Sequence, residues 1–168
     1  MDAQRKVLVV MGSDSDWKIM ESAVTTLKAL QIEAEVEVAS AHRTPEKALE
    51  LSSHARERGY GAIIAGAGAA AHLAGILASK TTLPVIGVPL SGTALQGLDA
   101  LYATVQMPSG VPVATVAVDG AKNAALLAAQ ILAVRDEALA DLLAREKEAM
   151  AAQVEEKSQK IRGLAGLT

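Results

Sequence analysis

The chain has 168 residues, which is typical of one domain with a sizeable hydrophobic core. Its formal net charge of -3 gives no basic surface for nucleic acid. The absence of cysteine excludes disulfides, thiolate metal sites and cysteine nucleophiles, and the apolar run 7–11 is too short for a signal peptide, so a cytoplasmic location is expected.

The hydrophobic pattern predicts five units in chain order, each a strand followed by a helix. The predicted strands are residues 6–11, 32–40, 62–65, 84–88 and 112–118. The predicted helices are approximately residues 15–30, 45–58, 70–79, 94–104 and 121–132. This alternation favours a parallel sheet covered by helices on both faces, and right-handed crossovers favour a flavodoxin-like strand order.

A sixth helix is predicted over residues 135–162, which are rich in charged side chains. Since the five-unit sheet is already complete, its apolar stripe needs another surface, either on its own domain or on a neighbouring subunit. We favour the neighbour. The stripe consists of Leu139, Leu142, Leu143, Met150, Val154 and Ile161.

Charged residues are concentrated towards the two ends of the chain. Between residues 59 and 118 they are only Lys80 and Asp99. Residues 59–79 are uncharged over a length that could cross a bilayer. They are mostly glycine and alanine, include His72 and break into strand, turn and helix, so we exclude a membrane span. Because interface cores are depleted in charge, this region predicts association of subunits.

The most informative motif follows the second strand, where Ser40, His42 and Arg43 precede Pro45, a typical first residue of a helix. Ligands of open α/β proteins bind outside the carboxyl ends of the strands, where these side chains would project. Histidine exchanges protons near neutral pH, and arginine binds phosphate or carboxylate. The motif therefore suggests acid–base chemistry on an anionic small molecule, with a packing histidine and an ion-paired arginine as the alternatives.

The loop after the first strand, residues 12–16, begins with a glycine that permits a tight turn. Ser13 and Asp16 have the spacing of a capping box. Hydroxyls and amides at a helix start can also hold phosphate, and a carboxylate can accept hydrogen bonds from ribose. The sequence leaves both the structural and the ligand-binding interpretation open.

The loop after the third strand contains Gly66, Ala67 and Gly68, followed by His72. Its small residues would let the backbone approach a flat ligand, and the amides could bind a carboxylate. Close packing of a helix on the sheet is the alternative. His72 is either a second proton donor or an ordinary residue of the first helical turn.

The third histidine, His54, shares a helical stripe with charged residues and is predicted to face solvent. The histidines show no metal-ligand spacing, so no metal site is predicted. Trp17 and the two tyrosines are too scattered to form a base-stacking platform.

In these motifs the chain resembles the N5-carboxyaminoimidazole ribonucleotide mutase family of purine biosynthesis. The resemblance covers roughly residues 6–132 in the same order. The matching segments are G-S-D-S-D-W (12–17), S-A-H-R-T-P (40–45), I-I-A-G-A-G (63–68), A-A-H-L (70–73), L-P-V-I-G-V-P (83–89), Q-M-P-S-G-V-P-V-A-T-V-A (106–117) and N-A-A-L-L-A-A-Q-I-L (123–132).

The resemblance implies a three-layer α/β/α subunit with a flavodoxin-like sheet, assembled as a homo-octamer. It divides the chain into a catalytic domain, residues 1–134, and a helical extension, residues 135–168, that packs on a neighbouring subunit. It also implies an isomerase that moves a carboxyl group from an exocyclic nitrogen of an aminoimidazole ribonucleotide to ring carbon four. No metal or organic cofactor is implied.

The same resemblance assigns roles to individual residues. His42 would be the general acid and base. The ribose phosphate would be held by Ser13, Asp16 and Arg43, with Ser40 nearby. The imidazole and its carboxylate would be framed by the loop that contains Gly66, Ala67, Gly68 and His72.

The chain departs from the family's common third loop, G-A-G-G-A-A-H-L-P-G-M, at Ala69, Ala74 and Ile76. Alanine at position 69 disfavours a positive φ there. A related branch carboxylates free aminoimidazole ribonucleotide directly with carbon dioxide; it has lysine at the position of Arg43 and lacks this loop. Arg43 and the loop favour the mutase, and direct carboxylation is the alternative. The non-enzymatic alternative is a nucleotide-binding or flavin-binding sensor.

Overall fold

The computed structural model describes residues 5–166. Residues 1–4 of the predicted catalytic domain and residues 167–168 of the predicted helical extension lie outside the described residues. Its five strands form one parallel sheet in the order β2-β1-β3-β4-β5, so the predicted flavodoxin-like order is confirmed. The strands are β1 (Lys6–Met11), β2 (Glu33–Val38), β3 (Ala62–Gly68), β4 (Val85–Leu90) and β5 (Ala114–Thr115). The helices are α1 (Trp17–Ala29), α2 (Pro45–Ser53), α3 (Leu73–Ala78), α4 (Leu98–Val105), α5 (Ala121–Ala133) and α6 (Glu137–Leu164).

The sheet is buried on both faces, which explains the continuous apolar run of β1. Val7 and Val9 belong to a core that includes side chains of α1 and α5. Leu8 and Val10 point to the opposite face and belong to a core that includes α2 and α3. Because successive side chains of a strand point to opposite faces, β1 contributes residues to two cores.

Several elements are shorter than predicted. β2 pairs only with β1, and the register that joins Val38 to Met11 is the last, so β2 stops two residues before the predicted end. α2 ends at Ser53 and is followed by turns up to Gly59, whose φ is +79°. α4 starts at Leu98 because Gln96 and Gly97 both have positive φ.

β5 has only two ladder residues, where seven were predicted. The chain still follows β4 beyond them, because Val116 N donates to Gly87 O at 3.0 Å and Asp119 N donates to Pro89 O at 2.8 Å. Pro112 has no amide hydrogen to extend the ladder in the other direction.

The start of α6 packs on its own domain. Leu139 is fully buried, and Leu142 and Leu143 lie against the same core. Farther along the helix, Val154 and Ile161 are 66% and 63% exposed. The apolar stripe of α6 is therefore covered at its beginning and open towards its end. Within residues 5–166, no helix is long and apolar enough to cross a membrane.

Candidate active site

Three loops meet at the carboxyl edge of the sheet and enclose an open cleft of about 400 Å³. They follow β1, β2 and β3, which are adjacent in the order β2-β1-β3. The chain reverses its direction of strand addition between β1 and β3, and ligands of doubly wound sheets bind at such a point. The cleft is lined by Gly12, Ser13, Asp16, Ser40, Ala41, His42, Arg43, Ala67, Gly68, Ala70, His72 and Leu73.

The loop after β1 is fixed by a capping box. Ser13 N donates to Asp16 Oδ2 at 3.0 Å, and the Ser13 hydroxyl accepts from Ser15 N at 3.4 Å. Both Ser13 and Asp16 also line the cleft. The capping interpretation is thus correct, and the same geometry leaves these two side chains accessible to a ligand.

The Asp16 carboxyl is partly withdrawn from solvent. Burial raises the pKa of Asp16, against the opposing effect of the hydrogen bonds from the loop amides. A hydrogen-bond donor supplied by a ligand would stabilise the charged form of this carboxylate. Asp16 is therefore suited to accept a hydrogen bond from a hydroxyl group.

The loop after β2 carries His42 and Arg43 into the cleft. Arg43 N donates to the Ser40 hydroxyl at 3.2 Å, which holds the turn. The Arg43 guanidinium crosses to the first loop, where Nη2 donates to Gly12 O at 3.1 Å. A guanidinium has five N–H donors, so this contact leaves others for an anion in the cleft.

The loop after β3 brings His72 to His42. Nε2 of His42 lies 2.9 Å from Nδ1 of His72, and the rings meet edge to face with centroids 5.0 Å apart. His72 is the residue immediately before α3, and its side chain makes no capping bond to that helix. His72 therefore lies just before the helix rather than within its first turn, and its ring contacts His42.

Gly66 is the predicted site residue that does not line the cleft. It lies within β3, where its carbonyl accepts from Gly12 N at 3.2 Å. A side chain at this position would clash with Met20 of α1. Gly66 thus lies within the strand, since β3 continues through Gly68, beyond the predicted end at residue 65.

The backbone at Ala69 is left-handed, with φ +51°. The expectation that alanine would avoid a positive φ here is wrong. The turn that follows, in which His72 N donates to Ala70 O at 2.8 Å, delays the start of α3 to Leu73. Since L-residues other than glycine are strained in this region, the loop that presents His72 keeps its shape at an energetic cost.

Four cleft residues were not among the predicted site residues: Gly12, Ala41, Ala70 and Leu73. Each of these four residues is close in the sequence to a predicted site residue. Their position in the three loops after β1, β2 and β3 was therefore the signal that could have identified them. His54 lies outside the cleft and is exposed, as predicted, although it directly follows the end of α2 rather than belonging to the helix. Among residues 5–166, no group of three or more potential ligands could hold a metal ion.

The fold and cleft define an α/β protein with a flavodoxin-like sheet and an open cleft that contains His42, His72 and Arg43. Residues 6–153 match the family described as AIR carboxylase, and the chain belongs to that family.

The chain is similar to proteins from several organisms. A Pyrococcus horikoshii protein named N5-carboxyaminoimidazole ribonucleotide mutase is 53% identical over 91% of this chain and 86% of its own length. The Escherichia coli K12 protein of the same name is 54% identical over 80% of each chain. The crystal structure of Treponema denticola PurE is 31% identical, with a TM-score of 0.84 over 94% of this chain and 98% of that one.

Proposed function

We propose that the protein is an isomerase of purine biosynthesis that converts N5-carboxyaminoimidazole ribonucleotide to 4-carboxy-5-aminoimidazole ribonucleotide. The observation that carries this proposal is the His42–His72 pair beside Arg43 in one cleft. It occurs in a chain more than half identical to relatives named for this activity.

Proton transfer by His42 is the central step of the proposed mechanism. His42 protonates the carbamate nitrogen, the nitrogen–carbon bond breaks, and carbon dioxide leaves an electron-rich aminoimidazole ring. Ring carbon four then forms a bond to carbon dioxide, and His42 removes the proton from that carbon to restore aromaticity. One proton is given and one is recovered, so a single imidazole serves both steps.

The other cleft residues bind and orient the substrate in this proposal. Arg43 binds the phosphate through its free guanidinium donors, with Ser13 and Ser40 nearby. Asp16 accepts from a ribose hydroxyl. Ala67 and Gly68 form an uncharged wall beside the ring, which would keep carbon dioxide close to carbon four and supply proximity to the second step.

The proposal includes a homo-oligomer, an octamer by family resemblance, in which α6 lies against a neighbouring subunit. Two features support association: the charge-poor middle of the chain and the exposed apolar side chains at the end of α6. A phosphorylated nucleotide does not cross membranes unaided, so we place the enzyme in the cytoplasm.

Supplying the two candidate substrates separately tests the reaction. Purified protein should form 4-carboxy-5-aminoimidazole ribonucleotide from the N5-carboxylated substrate, and the absorbance of the product measures this reaction. Turnover only with aminoimidazole ribonucleotide and bicarbonate would instead show direct carboxylation, which the description of the family also covers. Ligand binding without turnover of either substrate would indicate a sensor.

A further inference from the structure

The turn that carries His42 and Arg43 is closed by the hydroxyl of Thr44. The Thr44 hydroxyl accepts from Ser40 N at 2.9 Å and lies 3.2 Å from Ser40 O, to which it donates. Thr44 N also donates to Ser40 O at 2.9 Å. Both backbone polar groups of Ser40 are thus paired with one residue, and His42 lies between the two ends of this closed turn.

The Thr44 side chain has no other structural role in the described contacts. Thr44 occupies the N-cap of α2, where a threonine hydroxyl normally accepts from an amide of the first helical turn. Here its side chain makes no capping bond. The hydroxyl is directed backwards to Ser40, so capping of α2 does not explain this threonine.

Thr44 is also not among the residues that line the cleft. The strand end before the turn is held separately, since Lys47 Nζ donates to Val38 O at 2.9 Å. What is left to the Thr44 hydroxyl is the shape of the turn itself, and with it the distance from His42 to His72.

We propose that Thr44 is a positioning residue for His42, acting through Ser40 without touching the substrate. The inference rests on the proposed acid–base role of His42. Proton transfer requires the imidazole at hydrogen-bond distance from the reacting atom, so a turn that opens part of the time lowers kcat. The Arg43 guanidinium has a separate contact, in which Nη2 donates to Gly12 O at 3.1 Å, so phosphate binding and KM should change less.

Thr44→Val tests this, because valine keeps the shape and removes the hydroxyl. We expect kcat to fall about tenfold, with a smaller change in KM. Thr44→Ser restores the hydroxyl, and kcat should return to within about twofold of the original, since serine differs mainly in rotamer freedom. Thr26→Val is the matched control: it removes a threonine hydroxyl that donates to Ser22 O at 2.7 Å on α1.

Thermal unfolding of each variant separates positioning from stability. The Thr44 hydrogen bonds are solvent-exposed, so Thr44→Val and Thr26→Val should lower Tm by similar small amounts, and only Thr44→Val should lower kcat. The inference is overturned if Thr44→Val keeps the original kcat, if Thr44→Ser loses as much as valine, or if Tm falls far more for Thr44→Val than for the control. An unmodified protein without turnover of the N5-carboxylated substrate would reject the proposed function itself.

Discussion

His42 and His72 are 30 positions apart in the sequence, yet one hydrogen bond joins their rings. Such a bond needs a proton on one nitrogen and a lone pair on the other, so the tautomers of the two rings are linked. The contact therefore ties the loop after β2 to the loop after β3 at the carboxyl edge of the sheet.

Replacing His42 with Asn should lower kcat by about a thousandfold or more, because the amide cannot exchange protons at neutral pH. Product affinity, measured by calorimetry, should be largely retained, since Arg43 and Asp16 still line the cleft. His54→Asn is the control, because His54 lies on an exposed part of the chain outside the cleft. Unchanged turnover in His42→Asn, or an equal loss in His54→Asn, would contradict the assignment.

Arg43→Lys should raise KM for the ribonucleotide by about tenfold and change kcat less. Lysine retains the charge but lacks the planar guanidinium, which donates to Gly12 O and in the proposed function also binds phosphate. Steady-state kinetics measures both constants. Arg56→Lys makes the same exchange where the guanidinium donates to Thr82, away from the cleft, and should leave KM unchanged. A KM for Arg43→Lys equal to that of the original would argue against phosphate binding at this position.

Ala69→Gly should stabilise the protein by about 1 kcal/mol, because glycine adopts φ +51° without the steric cost that alanine bears. The gain is reduced by the greater freedom of glycine in the unfolded chain. Denaturant unfolding measures the difference. Ala29→Gly, at the right-handed end of α1, should have the opposite sign. Destabilisation by Ala69→Gly would mean that the loop gains more from the methyl group than it loses to strain.

The periodicity of the sequence was sufficient for the sheet and for the location of the cleft. Parallel strands place their following loops on one edge, so the motifs after β1, β2 and β3 had to converge. The predicted ends of the strands were less accurate, because a strand ends where its hydrogen-bonded neighbour in the sheet ends. β2 stops where β1 stops, at the pair Met11 and Val38.

The finer features of the site could not be derived in this way. The left-handed backbone of Ala69 is imposed by the surrounding loop, and alanine carries no local signal for it. The contact between His42 and His72 depends on the relative height of two loops on either side of β1. The direction of the Thr44 hydroxyl towards Ser40 could not be predicted, because a threonine whose hydroxyl caps the helix has the same sequence pattern.

Val154→Glu should weaken subunit association. Val154 is 66% exposed on the open part of the α6 stripe, and a carboxylate buried in an interface without a partner is strongly unfavourable. Light scattering should show an oligomer for the original chain and smaller species for the variant. Lys157→Glu changes an exposed position of the same helix that is already charged and serves as the control. A monomer at micromolar concentration for the original chain would rule out the proposed assembly.

Asp136→Asn should lower stability at neutral pH and leave it little changed in acid. The Asp136 carboxylate pairs with Arg5 at 2.6 and 2.8 Å and accepts from Leu139 N at 3.0 Å to cap α6. Arg5 holds the pKa of Asp136 below its ordinary value of 3.8, so the ion pair stabilises the fold fully above that pH. Its contribution is lost as the pH falls through the lowered pKa, because the folded state must then bind the proton.

Asparagine at position 136 can still cap the helix, so the Asp136→Asn variant isolates the effect of the charge. Thermal melts should therefore separate the two proteins at pH 7 and approach each other as the pH falls below 3.8 and through the lowered pKa of Asp136. Asp141→Asn changes an exposed position on the same helix and serves as the control, so its Tm difference from the original chain should not depend on pH in this way. A difference for Asp136→Asn that persists in acid would assign the effect to packing of α6 rather than to the ion pair.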